Sequence, residues 1–297
     1  MFWFPLSLGA AILLSTADAL SKNALRPENE AIVAWVRLGY ALPFLFIFFV
    51  PVIKLTRLDG VFWAATLISL PLEIVSLILY VKAIRISPLS LTVPFLAMTP
   101  AFLIVTAYLI LGEKPKGTGF LGILLVTLGA YLLNVRGWRG GWLETLKSLR
   151  RERGSVLMLV VAFIYSITTA LGKTAVIHSS PAVFALIYTF LLSLFLLPIA
   201  WLRSGNGSSS KKGLSRCASR ALGNRIYWLI GFLYASMLGC QYYAYSLTQA
   251  SYVIAVKRTS LLFSILWGGF FFKELNIRER FVGGFVMLLG VVLITVF

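Results

Sequence analysis

Side chains able to do chemistry are scarce in this sequence. Among 297 residues there is one histidine, His178, and there are two cysteines, Cys217 and Cys240. A zinc site built from nitrogen and sulfur ligands is therefore out of reach, and any metal would have to be held by carboxylates. Those are few as well, since Asp and Glu together number 10. Cys217 lies in a polar stretch and Cys240 in an apolar one, so the two do not read as a disulfide framework. We expect no metal and no cofactor. An enzyme, which needs acid, base and nucleophile gathered at one place, is disfavoured by the same inventory.

What the sequence has is apolar length. Hydrophobic residues make up 59% and charged residues 12%, and the mean hydropathy is +0.90. Ten apolar stretches, each of roughly 20 residues, follow one another along the chain, and each is long enough to cross a bilayer core of about 30 Å. Backbone polar groups in lipid must bond internally, so the choice is helices or a closed barrel. Barrel strands alternate apolar and polar residues. Leu42–Val50 and Leu121–Leu128 do not alternate. The expectation is an all-α membrane protein with ten transmembrane helices. The spans are 2–22, 31–53, 61–82, 88–111, 116–135, 155–178, 181–202, 225–248, 251–272 and 278–297. Ala17-Asp18-Ala19 mimics a signal-peptide cleavage site, but no basic residue precedes the apolar run, so the segment is kept as the first span.

The chain divides into two units, 1–135 and 155–297, with five spans each. Residues 136–154 between them set Trp138, Trp142, Leu143 and Leu146 among basic residues, an amphipathic pattern suited to the headgroup layer. Within the second unit, 203–224 holds a Gly/Ser run that reads as a flexible linker. Shifting 83–135 by 161 lays it on 244–296 without a gap. Glu113 then meets Glu274, Gly122 meets Gly283 and Gly129 meets Gly290. A shift of 151 places Lys22 on Lys173 and Ser15 on Ser166. Because five spans is an odd number, the second copy must enter the membrane inverted relative to the first.

These paired features resemble the drug/metabolite transporter superfamily, and within it the EamA type. The carrying residues are Gly112-Glu113 and Lys273-Glu274, the spaced glycines after each, the Ala83–Ser90 lead-in with Ala244–Ser251 opposite, and Lys22 with Lys173. The resemblance implies two inverted five-helix repeats, a small-molecule substrate, a pocket near the midplane between the halves, and alternating access. It implies nothing definite about the substrate, because the family carries amino acids, drugs, nucleotide sugars and other metabolites. The expected setting is a bacterial plasma (inner) membrane. A flippase for a lipid-linked headgroup is the alternative, and an integral-membrane enzyme comes after that. The glycines suit close contact between the fifth and tenth spans, within the chain or across a homodimer interface.

Charges inside spans are costly, at about 2.5–3.5 kcal/mol each on insertion scales, and usually face the interior. They are Asp18, Lys22, Arg37, Glu73, Lys173, Lys257 and Arg258. Glu73, in the middle of the third span, reads as a coupling carboxylate or substrate ligand, or else as a structural partner for a buried cation. Asp18 is a second coupling candidate and is spaced to pair with Lys22. Lys173 and Arg37 are expected to snorkel to the headgroups. Lys257 and Arg258 are the candidate anion anchors. Gln241, Tyr242 and Tyr245 are the candidate pocket lining, in a span also crowded with Tyr227, Trp228, Tyr234 and Tyr243. Glu113 and Glu274 read as interfacial turns rather than ligands. Pro88, Pro94 and Pro100 suggest bends in the fourth span.

The net charge is +17. Its placement beside apolar spans points to anionic lipid headgroups rather than nucleic acid. Nineteen Lys and Arg residues fall in or at the edges of the odd-numbered connections, against four (Lys54, Arg57, Lys114, Lys116) in the even ones. That bias places the odd connections in the cytoplasm and both termini outside, although the resemblance implies the reverse for many relatives. An impermeant thiol reagent applied to intact cells should therefore leave Cys217 unlabelled. Strong labelling would put the 203–224 connection outside.

Overall fold

The computed structural model describes residues 2–24, 30–53, 58–86, 95–134, 153–204, 225–272 and 281–296. All regular structure among them is helical: α1 (Trp3–Ala24), α2 (Glu30–Phe49) with a short 3-10 turn, α3 (Gly60–Ile86), α4 (Thr99–Leu111), α5 (Gly117–Asn134), α6 (Arg153–Ile177), α7 (Pro181–Ser204), α8 (Arg225–Leu247), α9 (Ala250–Lys257), α10 (Ser260–Phe272) and α11 (Phe281–Val296). Four contain apolar segments long enough to cross a membrane: Trp3–Ser21, Gly60–Tyr80, Arg153–Ile177 and Pro181–Ile199. The apolar stretches Val33–Phe49, Thr99–Leu111, Gly117–Leu133 and Val282–Val296 are shorter. Large apolar side chains face outward along the bundle, with Leu109 at 74% and Ile47 at 66% exposure. An outward surface of this kind needs lipid around it.

A helix start repeats at the offset seen in the sequence: α4 begins at Thr99 and α10 at Ser260, 161 residues apart, each after a two-residue turn. Packing follows the same relation. α1 lies along α8 as α6 lies along α3, and α5 lies along α11. These pairings are the ones a two-fold relating the repeats generates.

The ninth span departs from expectation. In place of one helix over 251–272 there are two, joined through Arg258 and Thr259. The chain tightens there into 3-10 bonds, Thr259 N–H to Val256 O at 3.0 Å and Leu261 N–H to Arg258 O at 3.0 Å. The Thr259 hydroxyl also donates to Val256 O at 2.8 Å, a back-bond that bends helices. The fourth span breaks at the same register. Met98 N–H donates to Phe95 O at 3.1 Å, and α4 starts only at Thr99, with Pro100 in its first turn, where a missing N–H does no harm. Pro88 and Pro94 lie outside the described residues. So do the 136–152 connection, the 205–224 linker and Glu274.

Among the described residues the two-fold is broken most clearly beside α3. α2 packs closely along α8, whereas the equivalent helices α7 and α3 barely meet. Gly231 makes the first contact close, because a Cβ there would lie 2.4 Å from Tyr40 O. The equivalent residue on α3 is Leu70. An aromatic seam finishes the α2–α8 contact. Tyr40 meets Trp228 at 5.3 Å between ring centroids, and Phe44 meets Phe232 at 5.5 Å.

Gly122, Gly129, Gly283 and Gly290 are all used within the chain, where α5 crosses α11. A Cβ on Gly129 would lie 2.5 Å from Met287 N. The homodimer expectation therefore draws no support from these glycines. Gly129→Ala forces two backbones apart, and overpacking of this kind costs roughly 1–3 kcal/mol. We expect it to lower the thermal unfolding temperature in detergent, while Gly117→Ala, with nothing within 4 Å, leaves it unchanged. Equal behaviour of the two variants would show that the α5–α11 contact is looser than described.

Candidate functional site

A cavity of about 230 Å³ lies between the repeats. Its wall is drawn from both. Glu73 comes from α3, Tyr165, Thr168 and Thr169 from α6, and Phe184, Tyr188 and Thr189 from α7. Tyr234, Gln241, Tyr242 and Tyr245 come from α8, and Lys257, Arg258 and Ser260 from the α9–α10 break. The break matters here. It ends α9 at Lys257, with Arg258 as the helix cap, so both cations stand at one helix end on the cavity wall. A second cavity of about 350 Å³ shares Leu38, Glu73, Tyr165, Leu192 and Tyr234 with the first and adds Val33, Arg37, Leu77, Tyr80 and Leu196. It occupies the space where α3 and α7 fail to meet.

All six residues expected to bind substrate line the first cavity: Glu73, Gln241, Tyr242, Tyr245, Lys257 and Arg258. The Lys257 ammonium donates to the Gln241 side-chain oxygen. Gln241 Nε2 in turn donates to the Tyr245 hydroxyl at 2.6 Å. This chain fixes the lysine head and one phenol together. Tyr242 is set by its ring neighbours, Phe184 at 5.0 Å edge-on and Tyr245 at 6.0 Å. Glu73 faces the Thr168 hydroxyl and lies in the field of Lys257. Asp18, the other coupling candidate, lines neither cavity. Its carboxylate takes the Arg37 guanidinium at 2.6 Å.

Three expectations are corrected. Arg37 does not reach for headgroups; besides Asp18, its Nε donates to Ser21 Oγ at 3.1 Å. The side chain of Lys22, the partner expected for Asp18, lies outside the described residues. Lys173 does not snorkel either. It is buried, with its ammonium on the Glu113 carboxylate and on Thr248 O. Glu113 is accordingly more than an interfacial turn. Its other oxygen accepts the Ala250 N–H at 2.9 Å, at the start of α9. The left-handed Gly112, at φ 69°, aims it there, with Glu113 N–H bonded back to Ala107 O at 3.3 Å, a glycine-capped helix end. Gln249 Nε2 to Lys114 O at 2.9 Å and Lys116 N–H to the Tyr252 hydroxyl at 3.1 Å complete the closure. Glu113–Lys173, Glu113–Ala250, Gln249–Lys114 and Lys116–Tyr252 each join the first repeat to the second. On the same end of the bundle, Asp59 accepts the Phe62 N–H at 2.8 Å and meets His178 Nδ1 at 2.6 Å. The Phe62 N–H first, then His178, holds the Asp59 carboxyl below the usual carboxylate range.

The sequence profile of the EamA-like transporter family matches residues 1–135 and 152–296. The chain belongs to the EamA-like transporter family. It is thus an integral membrane transporter of the drug/metabolite transporter type. No curated protein matches the sequence. One solved structure, described only as "Crystal structure of protein", superposes with a TM-score of 0.66 at 14% identity, over 98% of this chain and 96% of its own. That likeness concerns the fold alone. For an EamA-like chain, a polar cavity between the two halves is where a substrate would be sought.

Several lining residues went unnoticed in the sequence. Tyr165, Thr168, Thr169 and Gly172 all face the cavity. Their i, i+3, i+4, i+7 spacing is a polar stripe on one face of α6, a signal a helical-periodicity search would have caught. The Lys173–Glu113 pair carries no local signal, since its members are 60 residues apart. Removing one partner of a buried ion pair costs roughly 3–5 kcal/mol. Glu113→Ala should therefore lower the unfolding temperature sharply, and adding Lys173→Met should recover the part due to the unpaired ammonium but not the part due to the Ala250 N–H. Additive losses in that cycle would mean that the two residues do not act as a pair.

Proposed function

We propose that the chain is a ten-span secondary transporter, built from two inverted repeats, that moves small polar or charged metabolites by alternating access across a bacterial plasma membrane. The observation that carries this reading is a break in the two-fold: α3 stays apart from α7 while α2 is sealed against α8, and the polar cavity lies beside the gap. At the other end the Glu113–Lys173 closure ties the repeats together. In this reading a substrate enters past Glu73 through the gap beside α3, and the closure at the other end bars it there. The exchange of open and closed seams is the motion a transporter of this kind uses.

Glu73 is the coupling residue in this reading. A carboxylate in mid-span is a poor permanent anion, and it lines both cavities, so it meets water and substrate alike. Asp18 assists through Arg37 and through its field at Lys257. The gap between α3 and α7 is walled by Leu77, Leu192 and Leu196. That apolar wall also favours a second reading, a flippase whose acyl chains pass through the gap while the headgroup occupies the cavity.

Reconstitution in liposomes with labelled metabolites tests transport directly: substrate-specific counterflow is expected. Glu73→Gln should abolish the dependence of net transport on a pH gradient and leave exchange partly intact. Full gradient-driven transport by that variant would remove Glu73 from the coupling step.

A further inference from the structure

Two ion pairs take up charges of the described spans and their ends, and three charged groups around the cavity stand outside them. Asp18 takes Arg37. Glu113 takes Lys173. Around the cavity one acid, Glu73, faces two bases, Lys257 and Arg258. Lys257 has Gln241 as a hydrogen-bond acceptor and lies in the field of Asp18 and Glu73. Arg258 has neither an ion pair nor a side-chain hydrogen bond among the described residues. Its Nε is sealed from water with no acceptor, and its polar neighbours are the phenols of Tyr165 and Tyr245. Whether Glu73 carries its proton or not, positive charge exceeds negative at this place.

The fold does not require the arginine. The equivalent break in the first repeat is made by Ala97 and Met98, 161 residues earlier, and it turns the chain at the same register. An arginine at one break and an alanine at the other is an asymmetry that packing leaves unexplained. A guanidinium holds its donors in a planar fork matched to carboxylate and phosphate oxygens. The Thr189 hydroxyl, also on the cavity wall, is buried without a partner as well. A cavity of about 230 Å³ suits a metabolite better than a drug-sized ligand, whose pockets run about 300–1,000 Å³.

We infer that the cavity takes a small organic anion whose carboxylate or phosphate group sits on Arg258, with Lys257 beside it and the hydroxylated remainder against the threonines and tyrosines. This rests on reading the cavity as a substrate site. Neutral and cationic metabolites would leave the guanidinium unanswered, which costs more than the contacts they gain.

The test uses the purified full-length protein in detergent, with ligand-induced thermal stabilisation as the readout. The probes are glycerol 3-phosphate, lactate and phosphatidic acid, with choline and glucose as controls. At least one anionic probe should raise the unfolding temperature. Arg258→Gln should raise the probe concentration needed for that response roughly 10- to 150-fold, the loss of one charge-assisted bond, and Arg258→Lys should fall between. A response to glycerol 3-phosphate or lactate identifies a soluble anion, and one confined to phosphatidic acid identifies a lipid headgroup. Should Arg258→Gln fail to fold, Lys257→Gln is read in its place. No stabilisation by any anion, equal stabilisation by choline or glucose, or an unchanged response in the substituted protein overturns the inference. Counterflow of the stabilising probe is measured separately in liposomes. Anion binding without counterflow would remove the transport reading and leave the anion site standing.

Discussion

A charge held inside a membrane-embedded bundle must be answered by another charge or by directed hydrogen bonds, because no water is at hand to do so. That constraint organises most of what is polar here. Asp18 answers Arg37, and Glu113 answers Lys173 while also receiving a backbone N–H from the start of α9. The second pair does more than neutralise. It ties the turn after α4 to the turn before α9, and so closes one end of the molecule across the repeat boundary. Arg258 is where the rule is left unfulfilled, and it is also where the cavity lies.

Duplication explains why a cavity exists there. Breaks in the fourth and ninth spans fall at the same register, one through Ala97 and Met98 and the other through Arg258 and Thr259. Broken helices free backbone and aim side chains inward at mid-depth. The repeats then diverge in side chains: alanine and methionine in one, arginine and threonine in the other. Architecture comes from what the copies share, and chemistry from where they differ. The same holds for the seams. Gly231 lets α8 reach the α2 backbone, and Leu70 at the equivalent site on α3 accompanies a contact that stays apart.

The glycines of α5 and α11 belong to the shared part. Backbones approach closely enough that a Cβ on Gly283 would lie 2.7 Å from Leu133 N, and one on Gly290 2.6 Å from Gly122 O. Small residues of this kind supply close van der Waals packing where lipid gives no hydrophobic drive between helices. That pair anchors the repeats to each other away from the cavity, so the seams beside the cavity are left to differ.

Composition and periodicity by themselves determined the helical membrane class, the two-fold repeat and the family resemblance, since apolar length and in-register Glu and Gly are properties of the chain read in order. Glu73, Gln241, Tyr242, Tyr245, Lys257 and Arg258 were legible as polar groups in apolar spans, and they line one cavity. Which of the buried charges pair was decided only by tertiary structure. Arg37 and Lys173 carry stems long enough to snorkel, and local sequence favours that outcome. Their actual partners come from other helices, brought near by packing that sequence spacing does not encode. The same reason hid the break at Arg258, because an apolar run reads as one helix until the hydrogen bonds at Thr259 are seen to shift.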